Sequence, residues 1–131
     1  MNRDSLEQYL ADDSRRGPAP DGGHTGSAGG APCGDLVRIS LIVGEGRIER
    51  GSFDTEGCAA TSAAAAAAAE LIDGCAVLEA ARISPEDIEA ELGGLAPTHR
   101  HAAVLAADAL HRALSGLAGS GAPLAARAAR C

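Results

Sequence analysis

The chain has 131 residues, enough for one compact domain, and is 46% hydrophobic but only 2% aromatic, with one Phe, one Tyr and no Trp. Its core must be built from Leu, Ile, Val and many Ala, a thin core to which a bound metal or partner would add stability. The net charge of −7 at pH 7 argues against direct nucleic-acid binding, which needs clustered positive charge to meet phosphates.

Met1–Leu10 is polar and amphipathic rather than a secretory signal. The longest apolar run, Ala63–Ala69, is too short to cross a bilayer. A cytoplasmic location without membrane attachment is the expectation. In that compartment the four cysteines are expected to be free thiols, metal ligands or sulfur carriers rather than disulfides.

In chain order, Ser5–Leu10 predicts a short helix with Leu6, Tyr9 and Leu10 on one side. Ser14–Pro32, rich in Gly, Pro, Ser and Asp, predicts an extended or mobile loop, and Thr25–Gly30 has little in it to fix a conformation. Leu36–Val43 alternates, with Val37, Ile39, Leu41 and Val43 on one face and Arg38 and Ser40 on the other. Gly44-Glu45-Gly46 is a hairpin turn signal, and Arg47–Phe53 reads as the returning strand. Two strands alone are marginal, so a third is expected, either beside Gly57 or from the N-terminal loop.

Thr61–Ile72 is a strong helix former whose small side chains permit close packing, and Gly74 ends it. Val77–Arg82 predicts a short helix. Ser84–Leu92 carries an N-cap Ser, Pro at the first helical position and acidic residues in the first turn, before Gly93-Gly94 stops it. The last long helix is expected from about Arg100 to about Leu117, with Ala103, Ala106, Leu110, Leu114 and Leu117 along one stripe. Gly119–Cys131 is expected to fray. Strands first and helices after predict an α+β fold with helices on one face of an antiparallel sheet.

Cys33 lies in "GAPCGD", between Pro32 and Gly34 and two residues before Asp35; Cys58 lies in "EGCAAT", where strand gives way to the Ala-rich helix. A thiol at a helix N-terminus has a lowered pKa because unsatisfied backbone N–H groups favour the thiolate. Either cysteine alone reads first as a small buried hydrophobe. Together the balance changes, because both sit at element ends with glycine neighbours that allow close approach. His101 stands at the start of a third element. Cys33, Asp35, Cys58 and His101 can converge into a four-ligand metal site, although the spacing alone is a weak signal. His99 and His111 read as surface residues, and His24 as a loop residue able to swing toward the site. Cys75 reads as structural or partly exposed. Cys131, on the tail, is a candidate extra ligand. Asp108 shares a helix face with His101 and can orient the imidazole only if the helix starts early.

Four segments, "GAPCGDLVRISLIV", "GRIERGSFDTEGCAATSAAA", "ELIDGCAVLEA" and "HAAVLAADALHRAL", resemble the IscU/NifU-type iron–sulfur cluster scaffold family in order and spacing, from about Gly26 to Leu114. The resemblance implies a three-stranded antiparallel sheet with a helical layer and a site exposed on loops at one end. It implies Cys33, Asp35, Cys58 and His101 as metal or cluster ligands. The chain is expected to divide into an N-terminal helix and mobile Gly/Pro-rich loop over 1–32, the IscU-like scaffold domain over 33–117 and a flexible tail over 118–131. In the family the residue after the histidine is a third cysteine, which accepts persulfide sulfur from a cysteine desulfurase and ligates the cluster; here it is Ala102. The segment bound by the family's dedicated chaperone is altered to "GLAPTHRH". Related domains with His-Ala at this point occur fused ahead of a tRNA 2-thiouridylase.

Three functions follow. The first is a non-enzymatic scaffold or carrier holding a labile Fe–S cluster, [2Fe-2S] or [4Fe-4S], served by a cysteine desulfurase and delivering to an apoprotein. The second is a zinc-bound sulfur-relay domain serving a desulfurase or thiouridylase domain. The third is a metal-free docking domain, against which the joint presence of Cys33, Asp35, Cys58 and His101 weighs. Homo-oligomer formation stays open.

Overall fold

Alternation along one segment sets the centre of the sheet. In the computed structural model, which describes residues 15–17, 23–30 and 34–118, strand β2 (Asp35–Gly44) turns Val37, Ile39 and Leu41 fully inward and leaves Arg38 exposed. β2 pairs antiparallel on one side with β1 (His24–Gly30) and on the other with β3 (Arg47–Glu56), giving the order β1-β2-β3. The α+β expectation and the three-stranded antiparallel sheet are as observed. On the face away from the helices, Ser40 is buried but paired with Thr25, Oγ to Oγ at 2.8 Å, which satisfies a hydroxyl that would otherwise be costly to bury.

The β2–β3 turn has two residues. Glu45 (φ 54°) and Gly46 (φ 77°) both take positive φ, the requirement of the tight hairpin turn whose twist matches the strands. Beyond the outer edge of β3, the Phe53 N–H donates to the Arg15 carbonyl at 2.8 Å and the Gly17 N–H to the Phe53 carbonyl at 2.9 Å. Residues 15–17 thus cover part of an edge that would otherwise invite pairing with another chain.

The third strand comes from the N-terminal loop, one of the two places expected for it. Thr25–Gly30 lies within β1, so that part of the Ser14–Pro32 expectation is corrected. The reason is packing: β1 presents Gly26 and Ala28 inward, and a β-carbon on Gly26 would collide with backbone atoms of Ala109 and Ala113 in the last helix. The strand carries no large apolar alternation because the helix lies too close to admit a side chain at Gly26, and the other buried inward position holds only alanine.

Helix α1 (Ala59–Ile72) starts two residues earlier than expected, with Cys58 as its N-cap. Ala63 to Ala69 are all buried, as in a helix enclosed on every side; it contacts β2, β3 and three later helices. α2 is shorter than expected (Val77–Ala80). α3 (Pro85–Glu91) has the predicted Ser84 cap, whose Oγ accepts from the Asp87 N–H at 3.2 Å while Asp87 Oδ2 accepts from the Ser84 N–H at 2.9 Å. Ser84→Ala is expected to lower stability by about 1 kcal/mol, read from the midpoint of urea unfolding. A one-turn 3-10 helix, Pro97–His99, precedes α4 (Arg100–Ala118). In α4, Ala103, Ala106, Leu110 and Leu114 are buried as the stripe requires. α1 and α4 cover one face of the sheet. The expected Ser5–Leu10 helix and the Gly119–Cys131 tail lie outside the described residues, as does the side chain of Leu117.

Candidate metal centre

Three element ends meet at one end of the sheet. Asp35 opens β2, Cys58 caps α1 immediately after β3, and His101 lies in the first turn of α4. One donor atom from each, a carboxylate oxygen, Sγ and an imidazole nitrogen, lies within 4.8 Å of the other two. Asp35 holds the group together. Its Oδ2 is 2.7 Å from His101 Nε2, and its Oδ1 accepts from the Cys58 N–H at 3.1 Å. The Asp35 side chain is 16% exposed and that of His101 45%, so the imidazole is open to solvent and the carboxylate lies beneath it.

Gly57 makes this approach possible. It joins β3 to α1 at φ +131°, and a β-carbon there would overlap Asp35 Oδ1. The glycine beside Cys58 therefore gives the carboxylate access to the backbone of the helix start.

The His101 hydrogen bond is the main cause that holds the Asp35 carboxyl below its ordinary pKa; burial opposes it, and the Cys58 N–H, the His101 charge and the Thr61 hydroxyl add to the lowering. A carboxyl whose folded pKa lies below its unfolded value contributes stability that is fully present above the unfolded pKa and lost as pH falls through the folded one. In the metal-free protein, the stability gap between wild type and Asp35→Asn is accordingly expected to be widest above about pH 4 and to close on further acidification. Urea titrations from neutral to acid pH measure it; a gap independent of pH would refute the link.

The donor set suits a metal. Thiolate, imidazole and carboxylate are the ligands Zn²⁺ takes at about 2.0–2.3 Å, and the thiolate is the ligand that iron–sulfur clusters prefer. His101 Nε2 and Asp35 Oδ2, now 2.7 Å apart, would exchange their mutual hydrogen bond for bonds to the metal.

The other sequence candidates fall elsewhere or outside. Cys33 and Cys131 lie outside the described residues. The next two residues after Cys33 are described: Gly34, whose N–H donates to the Gly30 carbonyl at 3.0 Å, and Asp35 itself. His24 pairs with Leu41 at the opposite end of β1 from Gly30, which faces Asp35, so the strand holds it away from the site. His111 Nε2 bonds the Ile83 carbonyl at 2.8 Å. Cys75 Sγ donates to the Leu71 carbonyl at 3.2 Å, a local helix-end contact. His99 lies in the 3-10 turn and is half-buried, and Asp108 is not in the donor group.

The sequence matches the family model described as NifU-like N terminal domain over residues 3–120. The chain belongs to this family. It is 44% identical over 108 residues to a bifunctional protein NifU/MnmA of Rubrobacter xylanophilus, an alignment covering 81% of this chain and 22% of that protein. It is 36% identical over 114 residues to an iron–sulfur cluster assembly scaffold protein IscU of Archaeoglobus fulgidus, covering 87% and 74%. The chain thus spans about a fifth of the first relative and about three quarters of the second. The fold is similar to that of the crystallised N-terminal part of a NifU-like protein from Brucella abortus, with a TM-score of 0.63 at 20% identity, covering 89% of this chain and 93% of that one.

Within this NifU-like domain, Ala102 follows His101 and is fully buried. Its methyl group faces the core and offers neither a ligand nor a nucleophile. One residue of the site escaped sequence reading: Thr61, whose Oγ1 lies 3.3 Å from Cys58 Sγ. Its signal was a lone β-branched hydroxyl three positions after the cysteine, where helix geometry turns a side chain back toward the cap.

Proposed function

We propose that this NifU-like domain carries an iron–sulfur cluster as cargo, held by Cys33 and Cys58 with His101 and Asp35 completing the ligands. The observation that carries the reading is the convergence of Asp35, Cys58 and His101 within 4.8 Å at the open end of the sheet, in a family whose relatives are named as cluster assembly scaffolds. Clusters prefer four thiolates; replacing two of them by imidazole and carboxylate makes a labile site, suited to transfer rather than storage. The domain acts as a carrier rather than an enzyme, receiving sulfur from a cysteine desulfurase and passing the cluster to an apoprotein. With alanine at position 102, sulfur from a desulfurase persulfide must be accepted by Cys33 or Cys58. Either thiolate attacks the outer sulfur, and the desulfurase thiolate leaves.

A second reading, a zinc-holding relay for sulfur transfer to a thiouridylase, draws on the Rubrobacter relative, whose name joins NifU to MnmA in one bifunctional chain. Anaerobic purification with metal and sulfide analysis separates the two. Iron and sulfide near stoichiometric, with sulfur-to-iron charge-transfer absorption, is the expected result. Colourless protein with one zinc would replace the cluster reading by the relay, and protein free of both metals under reducing conditions would overturn both.

A further inference from the structure

Thr61 is fully buried, in a helix whose other buried positions are Ala60, Ala63 to Ala69 and Ile72. A hydroxyl in such a wall costs about 1–3 kcal/mol unless it has a partner, and valine would fill the same space without that cost. Its partner is the Cys58 sulfur at 3.3 Å. Cys58 is the N-cap of α1, yet its side chain accepts no capping bond from the backbone; the Thr61 N–H goes instead to the Cys58 carbonyl at 3.1 Å. The sulfur of the cap is thus engaged by a side chain one helical turn on.

In the metal-free thiol either partner can donate. A cysteine bound to a metal is a thiolate with no proton to give, so in the loaded site the hydroxyl must be the donor. We infer that Thr61 is a positioning residue of the metal centre: its hydroxyl donates to the Cys58 thiolate, fixes the direction of the sulfur and draws electron density from the sulfur–metal bond. The inference deepens the cargo reading and rests on Cys58 being a ligand. Hydrogen bonds to ligand sulfurs are among the controls on cluster potential, and partners behind the ligands hold them in place. A hydroxyl here orients the thiolate for binding and steadies its lone pairs, so the sulfur gives less charge to the metal.

The test uses Co²⁺ as probe, since its thiolate charge-transfer absorption reports on the sulfur directly. The full chain is compared with Thr61→Val, Thr61→Ser and Cys58→Ser. Wild type is expected to show the thiolate band and Cys58→Ser to lose at least the part that Cys58 contributes beside Cys33. Thr61→Val is expected to bind Co²⁺ about 10-fold or more weakly and to move the band to longer wavelength, because the sulfur is richer in electrons. Thr61→Ser restores both, while unfolding of the metal-free valine variant stays at or above the wild-type midpoint. Should the valine variant not fold, Thr61→Ala against Thr61→Ser carries the same comparison. Wild-type affinity and band position in the variant that lacks the hydroxyl overturn the role of Thr61 alone. A missing band in wild type, or a band that Cys58→Ser leaves at its full wild-type intensity, overturns the ligand reading and this inference with it.

Discussion

Cys58→Ser is expected to abolish cluster and metal binding while leaving the metal-free protein as stable as wild type, or more so. The two effects have separate causes. Cys58 supplies the thiolate of the donor group, and no other cysteine shares that group among the described residues. It is also the N-cap of α1, where its side chain makes no capping hydrogen bond. Serine is among the best N-cap residues, and its oxygen can accept from a backbone N–H of the first turn. The substitution thus removes a soft ligand and supplies a cap, worth about 0.5–1 kcal/mol. Iron content should fall to background while the urea midpoint of the metal-free protein holds or rises. Cys75→Ser serves as the control, because its sulfur bonds the Leu71 carbonyl away from the donor group, and it should retain full iron. A Cys58→Ser protein that keeps its iron, or a Cys75→Ser protein that loses it, would place the site elsewhere.

What the sequence made legible followed from how each signal arises. The α1 and α4 helices, the β2–β3 hairpin and the Ser84 cap announce themselves through local rules: period, turn residues and cap chemistry. The convergence of Asp35, Cys58 and His101 was readable because each sits at an element end and glycines flank the cysteines; Gly57 then proved to be the residue whose missing β-carbon admits the carboxylate. β1 was foreseen only as one of two places for a third strand, since its own signature is an absence. A strand pressed against a helix backbone has to give up the alternating side chains by which strands are recognised, and what remains looks like loop composition. Thr61 was missed for the opposite reason. It looks like an ordinary helix residue, and its meaning depends on the wall of alanine that buries it and on a sulfur three positions away.

The close packing of β1 on α4 gives the second large effect. Gly26→Ala adds one methyl group, and an ideal β-carbon there would run into Ala109 O, Ala113 N and the Arg112 carbonyl carbon. These are backbone atoms of a helix, so no rotamer change can relieve the contact; β1 or α4 must move. Forcing a methyl into a packed contact costs about 1–3 kcal/mol, sometimes more. The cost should travel to the site, because α4 carries His101 and β1 ends at Gly30 opposite Asp35. Displacing one against the other lengthens the 2.7 Å contact between His101 and Asp35, and metal affinity should fall along with stability. Gly116→Ala makes the same chemical change on the exposed side of α4, where a β-carbon would meet nothing within 4 Å. There alanine's better helix propensity should raise stability by about 0.5–1 kcal/mol, with metal binding untouched. Opposite signs in urea unfolding are the expected outcome. If both variants gained stability, β1 would not be packed on the helix backbone as the structure places it.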